Sequence, residues 1–109
     1  VKQLTLAGYS FGAWICTRLL NVQASPAALV ILISPPQKYF AFRWNGLENA
    51  VKWIICGDSD PFCDVRDLEK KAATIGAGLV ILEETDHFYA GRESLLARIL
   101  EQNIFEKKA

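Results

Sequence analysis

Four short runs of mostly apolar residues, separated by stretches of helical periodicity, constrain the fold of this chain more than any other feature. The runs lie at residues 4–7, 27–33, 51–56 and 79–84. The second run is apolar throughout, as a strand covered on both faces must be. Strands that alternate with helices are typical of a parallel sheet built from βα units. The sequence therefore predicts an α/β fold, a three-layer α/β/α arrangement with about four strands and three helices.

Three stretches have the spacing of amphipathic helices. They cover residues 11–22, the residues after Asp64 to about residue 75, and about residues 92–106. The QASP turn at Pro26 ends the first helix, Asp64 caps the second, and Gly76 and Gly78 stop the second. Residues 34–50 are rich in aromatic residues and prolines, so we predict a loop that crosses the strand ends.

Composition narrows the classes of function. At 109 residues and 51% hydrophobic, the chain is expected to form one domain over residues 1–109. Twelve basic residues balance twelve acidic ones, which argues against nucleic acid or an anionic membrane as partner. The longest apolar run is too short to span a bilayer. The three cysteines lack C-x-x-C spacing, which favours reduced thiols in a cytoplasmic protein and implies no metal site.

The pentapeptide GYSFG at residues 8–12 follows the first predicted strand and opens the first predicted helix. It fits the pattern G-x-S-x-G, in which a serine occupies a sharp strand-to-helix turn. Gly8 and Gly12 are expected to leave room for that turn. Ser10 is therefore a candidate nucleophile, although the motif alone equally fits a serine that only serves the turn.

A serine nucleophile needs a base, and the chain contains one histidine. His87 follows the fourth predicted strand. The carboxyl ends of parallel strands lie at one edge of a sheet, and the turn at Ser10 lies at that same edge. An ordinary loop histidine could occupy the same place, but its coincidence with Ser10 favours a catalytic base.

The base in turn needs a carboxylate, and several aspartates compete for that role. Asp60 follows the third strand and is our first choice, with Asp58 second. Asp58 can instead bond backbone amides in the turn, Asp64 is expected to cap a helix, and Asp86 adjoins the histidine too closely to reach its ring. The alternative for Asp60 is a simple turn in the DSDP tetrapeptide.

The segments LAGYSFGA, ISPP, CGDSDPF and DHFYAGR together resemble the small, lidless α/β hydrolases related to dienelactone hydrolases and to prolyl-oligopeptidase-like catalytic domains. The chain order Ser10, Asp60, His87 is also the order of the α/β-hydrolase arrangement. By this resemblance Ser10 corresponds to the nucleophile, Asp60 to the acid and His87 to the base. The backbone amide of Phe11 corresponds to one oxyanion-hole donor. The resemblance implies no cofactor.

The resemblance covers the part of the family fold from the nucleophile strand onward. The earlier strands, and the loop that holds the second oxyanion donor, have no counterpart in this sequence. We therefore expect the chain to be the C-terminal portion of a longer protein. Its first strand is expected to be an exposed edge that pairs with another copy, which predicts self-association.

The predicted function is a serine hydrolase that cleaves an ester, thioester or amide bond of a small molecule through an acyl-enzyme. Aromatic residues beside the site are candidates for substrate contact: Tyr9, Phe62, Phe88 and Tyr89. The loop adds four more that could cover the mouth: Tyr39, Phe40, Phe42 and Trp44. The alternatives are a non-catalytic scaffold or interaction module and an inactive fragment lacking half of the oxyanion hole. The G-x-G-x-x-G spacing of a dinucleotide site is absent.

Overall fold

The computed structural model describes residues 4–22 and 28–102, and these form a parallel four-stranded sheet flanked by helices. The strands are β1 (Leu4–Tyr9), β2 (Ala28–Ile33), β3 (Val51–Gly57) and β4 (Gly78–Leu82), adjacent in that order. The helices are α1 (Phe11–Val22), α2 (Val65–Ile75) and α3 (Glu93–Leu100). The predicted α/β class and strand-helix alternation are confirmed. Among the described residues, no helix has the length and apolarity needed to cross a bilayer.

The central strands are buried on both faces, which gives the molecule its three layers. Val30 and Leu32 of β2 belong to an apolar cluster with α1 and α2. Ile31 and Ile33, which point the other way, pack in a second cluster with α3. Because successive side chains of a strand alternate between faces, a strand between two helical layers must be apolar at every position. The uniformly apolar run of residues 28–33 is therefore explained by its position in the middle of the sheet.

The second helix begins and ends at the residues that its sequence predicts. The Asp64 carboxylate accepts a hydrogen bond from the Asp67 amide at 3.2 Å, which satisfies a free N–H of the first turn. Gly76 adopts a left-handed conformation (φ 71°) and donates its N–H to the carbonyl of Ala72. Gly78, which was expected to help stop the helix, is instead the first residue of β4.

Some boundaries differ from the expectations or lie outside the described residues. β1 extends to Tyr9, two residues beyond its predicted end. β4 ends at Leu82 and not at Glu84, because the Glu84 amide donates to the Asp58 carboxylate at 2.8 Å and leaves the sheet. α3 is described to Leu100, and the predicted end near residue 106 lies outside the described residues. The predicted turn at Pro26 also lies outside them. Residues 34–50 contain neither helix nor strand, as predicted.

Candidate active site

Ser10 occupies the junction between β1 and α1. Its amide donates to the carbonyl of Ile33 at 2.9 Å, which extends the contact between β1 and β2 by one residue. Its own carbonyl accepts from the amide of Ala13 at 2.9 Å and so starts the helix. To do both, Ser10 adopts a positive φ of 58°, a strained conformation for a residue other than glycine. The turn holds the hydroxyl at the carboxyl edge of the sheet, where a nucleophile elbow places it.

His87 lies in hydrogen-bonding range of both Ser10 and Asp60. Its Nε2 is 2.7 Å from Oγ of Ser10, and its Nδ1 is 2.8 Å from Oδ2 of Asp60. With Nδ1–H donated to the carboxylate, Nε2 is left as an acceptor for the serine proton. The structure therefore brings the three residues predicted from the sequence into one continuous chain of hydrogen bonds.

The carboxylate of Asp60 is fixed at both of its oxygens. Oδ1 accepts from the backbone amide of Phe62 at 2.8 Å, while Oδ2 faces the imidazole. Asp60 therefore forms a local turn, as the simpler interpretation of its sequence suggested, and contacts His87 as well. The two neighbouring aspartates accept from backbone amides and do not contact the imidazole. Asp58 was expected to bond amides of its own turn, but it accepts from the amide of Glu84 in the loop after β4. Asp86 accepts from the amides of Phe88 and Ala90.

The loops that carry Asp60 and His87 are joined by backbone hydrogen bonds. The amide of Ser59 donates to the carbonyl of Thr85 at 3.0 Å, and the amide of Asp58 donates to the carbonyl of Leu82 at 2.9 Å. Gly57 lies where the two loops approach each other, and a methyl group there would overlap the carbonyl of Thr85. These contacts set the spacing between acid and base, and no sequence motif marked Gly57 for this purpose.

Three aromatic rings surround the imidazole of His87. Tyr9 stacks on it with ring centroids 5.6 Å apart, Phe62 lies at 4.3 Å and Phe88 meets it edge-on at 5.3 Å. Tyr9 and Phe88 are exposed and Phe62 is half-buried, so all three have surface that a bound molecule can contact. We call Tyr9, Phe62 and Phe88 the aromatic rim.

Tyr9 also fixes the histidine loop. Its hydroxyl donates to the backbone carbonyl of His87 at 2.9 Å. Although the ring is exposed, partial desolvation of the hydroxyl, with smaller contributions from the negative charges of Asp60 and Asp86, raises the pKa of Tyr9 above its ordinary value. The phenol therefore keeps the proton that it donates to the loop.

Tyr89 does not lie in the rim, and its expected contact with substrate is wrong. The ring is 2% exposed and packs in the cluster between the sheet and α3. Its hydroxyl is 2.7 Å from Oγ of the buried Ser34. The positive φ of Tyr89 (56°) turns its side chain into the protein, two residues after His87. Tyr89 therefore ties the histidine loop to the end of β2.

Four aromatic residues of the loop at residues 34–50 were expected to lie near the site, and two of them do. Tyr39 packs against Phe62 at 5.1 Å, and Phe40 packs against Phe11 at 5.4 Å. Trp44 is buried in the core beneath α1 and α2, where Phe42 stacks on it. The expectation that Phe42 and Trp44 cover the mouth is therefore wrong, because their apolar surface is used in the core.

The two glycines of the serine turn differ in their need for space. A methyl group on Gly8 would overlap the carbonyl of Gly12, so β1 and α1 can approach this closely only with glycine at position 8. A methyl group on Gly12 would meet no atom within 4 Å. The expectation that both glycines leave room for the turn holds for Gly8 alone.

The start of α1 places a hydrogen-bond donor beside Ser10. Phe11 is the first residue of the helix, and the first amides of a helix have no acceptor within it. The positive end of the helix dipole also favours negative charge at this point. The Phe11 amide can therefore stabilise an oxyanion that forms on a carbonyl attacked by Ser10.

Cys56, Cys63 and Asp60 form a buried group of side chains that the spacing of the sequence did not predict. Sγ of Cys56, Sγ of Cys63 and a carboxylate oxygen of Asp60 all lie within 4.8 Å of one another, and all three residues are buried. Thiolates and a carboxylate are ligands that a soft divalent metal accepts. Oδ2 of Asp60, however, already faces Nδ1 of His87. The three described cysteines are free thiols.

Among solved structures, this chain is similar to α/β hydrolases. An α/β serine hydrolase homologue from Coxiella burnetii superposes with a TM-score of 0.77 at 28% identity, over 94% of this chain and 49% of that one. An α/β serine hydrolase without a lid from Xanthomonas campestris gives 0.78 at 26% identity, over 95% of this chain and 47% of that one. No protein-family model and no curated sequence matches. The chain spans about half the length of these solved relatives.

Proposed function

Because the chain belongs to the α/β-hydrolase superfamily, we propose that it is a serine hydrolase that cleaves an ester, thioester or amide bond through an acyl-enzyme. The observation that carries the proposal is the relay from Ser10 through His87 to Asp60, with contacts of 2.7 and 2.8 Å. A buried histidine with a carboxylate on one nitrogen and a serine hydroxyl on the other is arranged for nucleophilic catalysis.

The reaction proceeds in two halves. His87 Nε2 takes the proton of the Ser10 hydroxyl as Oγ attacks the carbonyl carbon, and the Phe11 amide stabilises the resulting oxyanion. The carbonyl re-forms as the bond to the leaving group breaks, and His87 returns the proton to that group. Water then attacks the acyl-enzyme with His87 again as base, which releases the acid and restores Ser10. Asp60 stabilises the imidazolium in both halves.

The substrate we propose is a small molecule with an apolar acyl or alcohol group. The aromatic rim offers apolar ring surface next to the reacting atoms. An ester is the preferred bond, because resonance stabilises an ester carbonyl less than an amide carbonyl, so Ser10 attacks an ester more readily.

Location and partners also belong to the proposal. Free thiols are typical of a reducing compartment, so we propose a cytoplasmic protein. The balance of twelve basic and twelve acidic residues supports neither nucleic acid nor a membrane surface as partner. No cofactor is needed, because His87 and the Phe11 amide supply the proton transfer and the charge stabilisation.

A fluorophosphonate probe tests the proposal without requiring turnover, because it reacts once with an activated serine. Mass spectrometry should locate the label at Ser10, and both Ser10→Ala and His87→Ala should abolish labelling. Ser59→Ala, which removes a hydroxyl bonded to Asp58, is the control and should label like the wild type. No label at Ser10, or equal labelling of Ser10→Ala, would favour the non-catalytic scaffold instead.

A further inference from the structure

Cys63 lies directly against the acid of the candidate triad. Its side chain is buried, and Sγ is 3.3 Å from Oδ2 of Asp60, the oxygen that also faces Nδ1 of His87. Sγ is also 3.1 Å from the carbonyl oxygen of Pro35. A thiol has one hydrogen, and an ionised carboxylate is a stronger acceptor than a neutral carbonyl. The S–H of Cys63 is therefore directed at Asp60 when the carboxylate is charged.

Cys63 must keep its proton in order to donate to Asp60, and its surroundings favour the protonated thiol. The neighbouring Cys56 side chain, burial, and the negative charge of Asp60 all raise the pKa of the Cys63 thiol. Cys63 therefore remains a neutral donor and does not place a second negative charge beside Asp60. A thiol of this kind is also a poor nucleophile, because the thiolate is the reactive form.

The contact adds a constraint that the other partners of Asp60 do not supply. The Phe62 amide fixes Oδ1, and the imidazole of His87 changes its charge as Nε2 gains and loses a proton during the reaction. Nδ1–H of His87 and S–H of Cys63 both point at Oδ2. Of these two donors, only the thiol keeps the same charge throughout the reaction. We propose that Cys63 is a positioning residue, whose thiol orients the Asp60 carboxylate so that Oδ2 stays aligned with Nδ1 of His87. This proposal rests on the proposed function, since the alignment matters only where His87 activates Ser10.

Cys56 provides a matched control. It is the same residue type, is completely buried and lies in the same cluster, but its S–H is directed at the carbonyl of Gly57 at 3.3 Å. Replacing either cysteine with valine therefore makes a similar change to the core. Only Cys63→Val removes a donor from the carboxylate, while Cys63→Ser retains one.

Two readouts separate positioning from simple packing. The first is the rate of fluorophosphonate labelling at Ser10. The second is the far-downfield proton resonance of the imidazole Nδ1–H, which needs no assignment because His87 is the chain's sole histidine. Cys63→Val should label about tenfold more slowly, less than the roughly hundredfold cost of a 1 Å misplacement, and should shift or broaden the resonance. Cys63→Ser should recover most of both, and Cys56→Val should keep both near wild type.

The proposal is overturned if Cys63→Val keeps the wild-type resonance, if Cys56→Val shifts it equally, or if Cys63→Ser behaves like Cys63→Val. Where Cys63→Val does not fold, Cys63→Ala, which also removes the donor, is compared with Cys56→Ala, and a resonance that is unchanged in Cys63→Ala overturns the proposal. A wild-type protein without any label would reject the proposed function. The resonance would still report on the alignment of His87 with Asp60, so the two failures are distinguishable.

Discussion

Nδ1 of His87 lies 2.8 Å from Oδ2 of Asp60, and the two side chains are 4% and 0% exposed. At this depth water does not compete for the carboxylate, so the hydrogen bond has no equivalent alternative partner. The contact therefore fixes both the direction of the imidazole and the nitrogen that carries its proton. The free electron pair of Nε2 then points at the Ser10 hydroxyl, 2.7 Å away.

We predict that Asp60→Asn reduces labelling of Ser10 by a fluorophosphonate by roughly four orders of magnitude. The amide can present N–H where the carboxylate presented an acceptor, which favours the imidazole tautomer whose proton faces Ser10. The measurement is the second-order rate of labelling at neutral pH. Asp64→Asn makes the same chemical change at a helix cap, where asparagine also serves, and should label at the wild-type rate. Equal rates for Asp60→Asn and the wild type would contradict the role assigned to Asp60.

The sequence was sufficient to predict which residues reach the site, because that follows from strand order. Ser10, Asp60 and His87 each follow a strand of a parallel sheet, and the carboxyl ends of such strands share one edge. Hydrophobic periodicity alone located those strands. The placement of the candidate triad therefore required no knowledge of loop conformation.

The directions of side chains within the loops could not be predicted in this way. Tyr89 follows His87 by two residues, yet its positive φ turns the ring into the core towards Ser34. Cys63 reaches Asp60 because of the turn that the Phe62 amide forms with that carboxylate. Such directions depend on contacts between residues far apart in the chain, and no repeating pattern in the sequence encodes them.

We predict opposite effects of alanine at the two glycines of the serine turn. In Gly8→Ala the added methyl group overlaps the Gly12 carbonyl, so β1 and α1 must separate and the free energy of unfolding should fall by about 1–3 kcal/mol. Gly12→Ala meets no neighbour and replaces a helical glycine, so it should gain up to about 1 kcal/mol. Urea denaturation of both variants measures the difference. Equal destabilisation would mean that the turn needs glycine at both positions for its backbone conformation.

We predict that Tyr89→Phe makes the protein less sensitive to alkaline pH. Burial raises the pKa of Tyr89 above its ordinary value, although the hydrogen bond with Ser34 partly opposes this. The unfolded chain releases the phenolic proton near pH 10 while the folded chain retains it, so wild-type stability is full below about pH 10 and falls as pH rises further. The phenylalanine variant lacks this loss.

At neutral pH the same variant should be less stable by about 1–3 kcal/mol, because the buried Ser34 hydroxyl loses its partner. The gap between variant and wild type should therefore narrow as the pH rises above about 10. Urea denaturation across this range measures it. Two parallel pH profiles would show that Tyr89 keeps the same affinity for its proton in both states.

Finally, we predict that the chain self-associates through the face formed by β1 and the outer side of α1. Among the described strands β1 pairs with β2 alone, which leaves its other edge unpaired. Four large apolar residues lie exposed along α1 at spacings that share one side of a helix: Phe11, Ile15, Leu19 and Val22.

Light scattering coupled to size-exclusion chromatography should give a mass that rises with concentration. Leu19→Lys places a charge at a residue that is 58% exposed, so it should weaken association without unfolding the protein. Ala97→Lys makes a comparable change on the exposed side of α3 and should leave association intact. A mass that stays monomeric at every concentration would contradict the prediction.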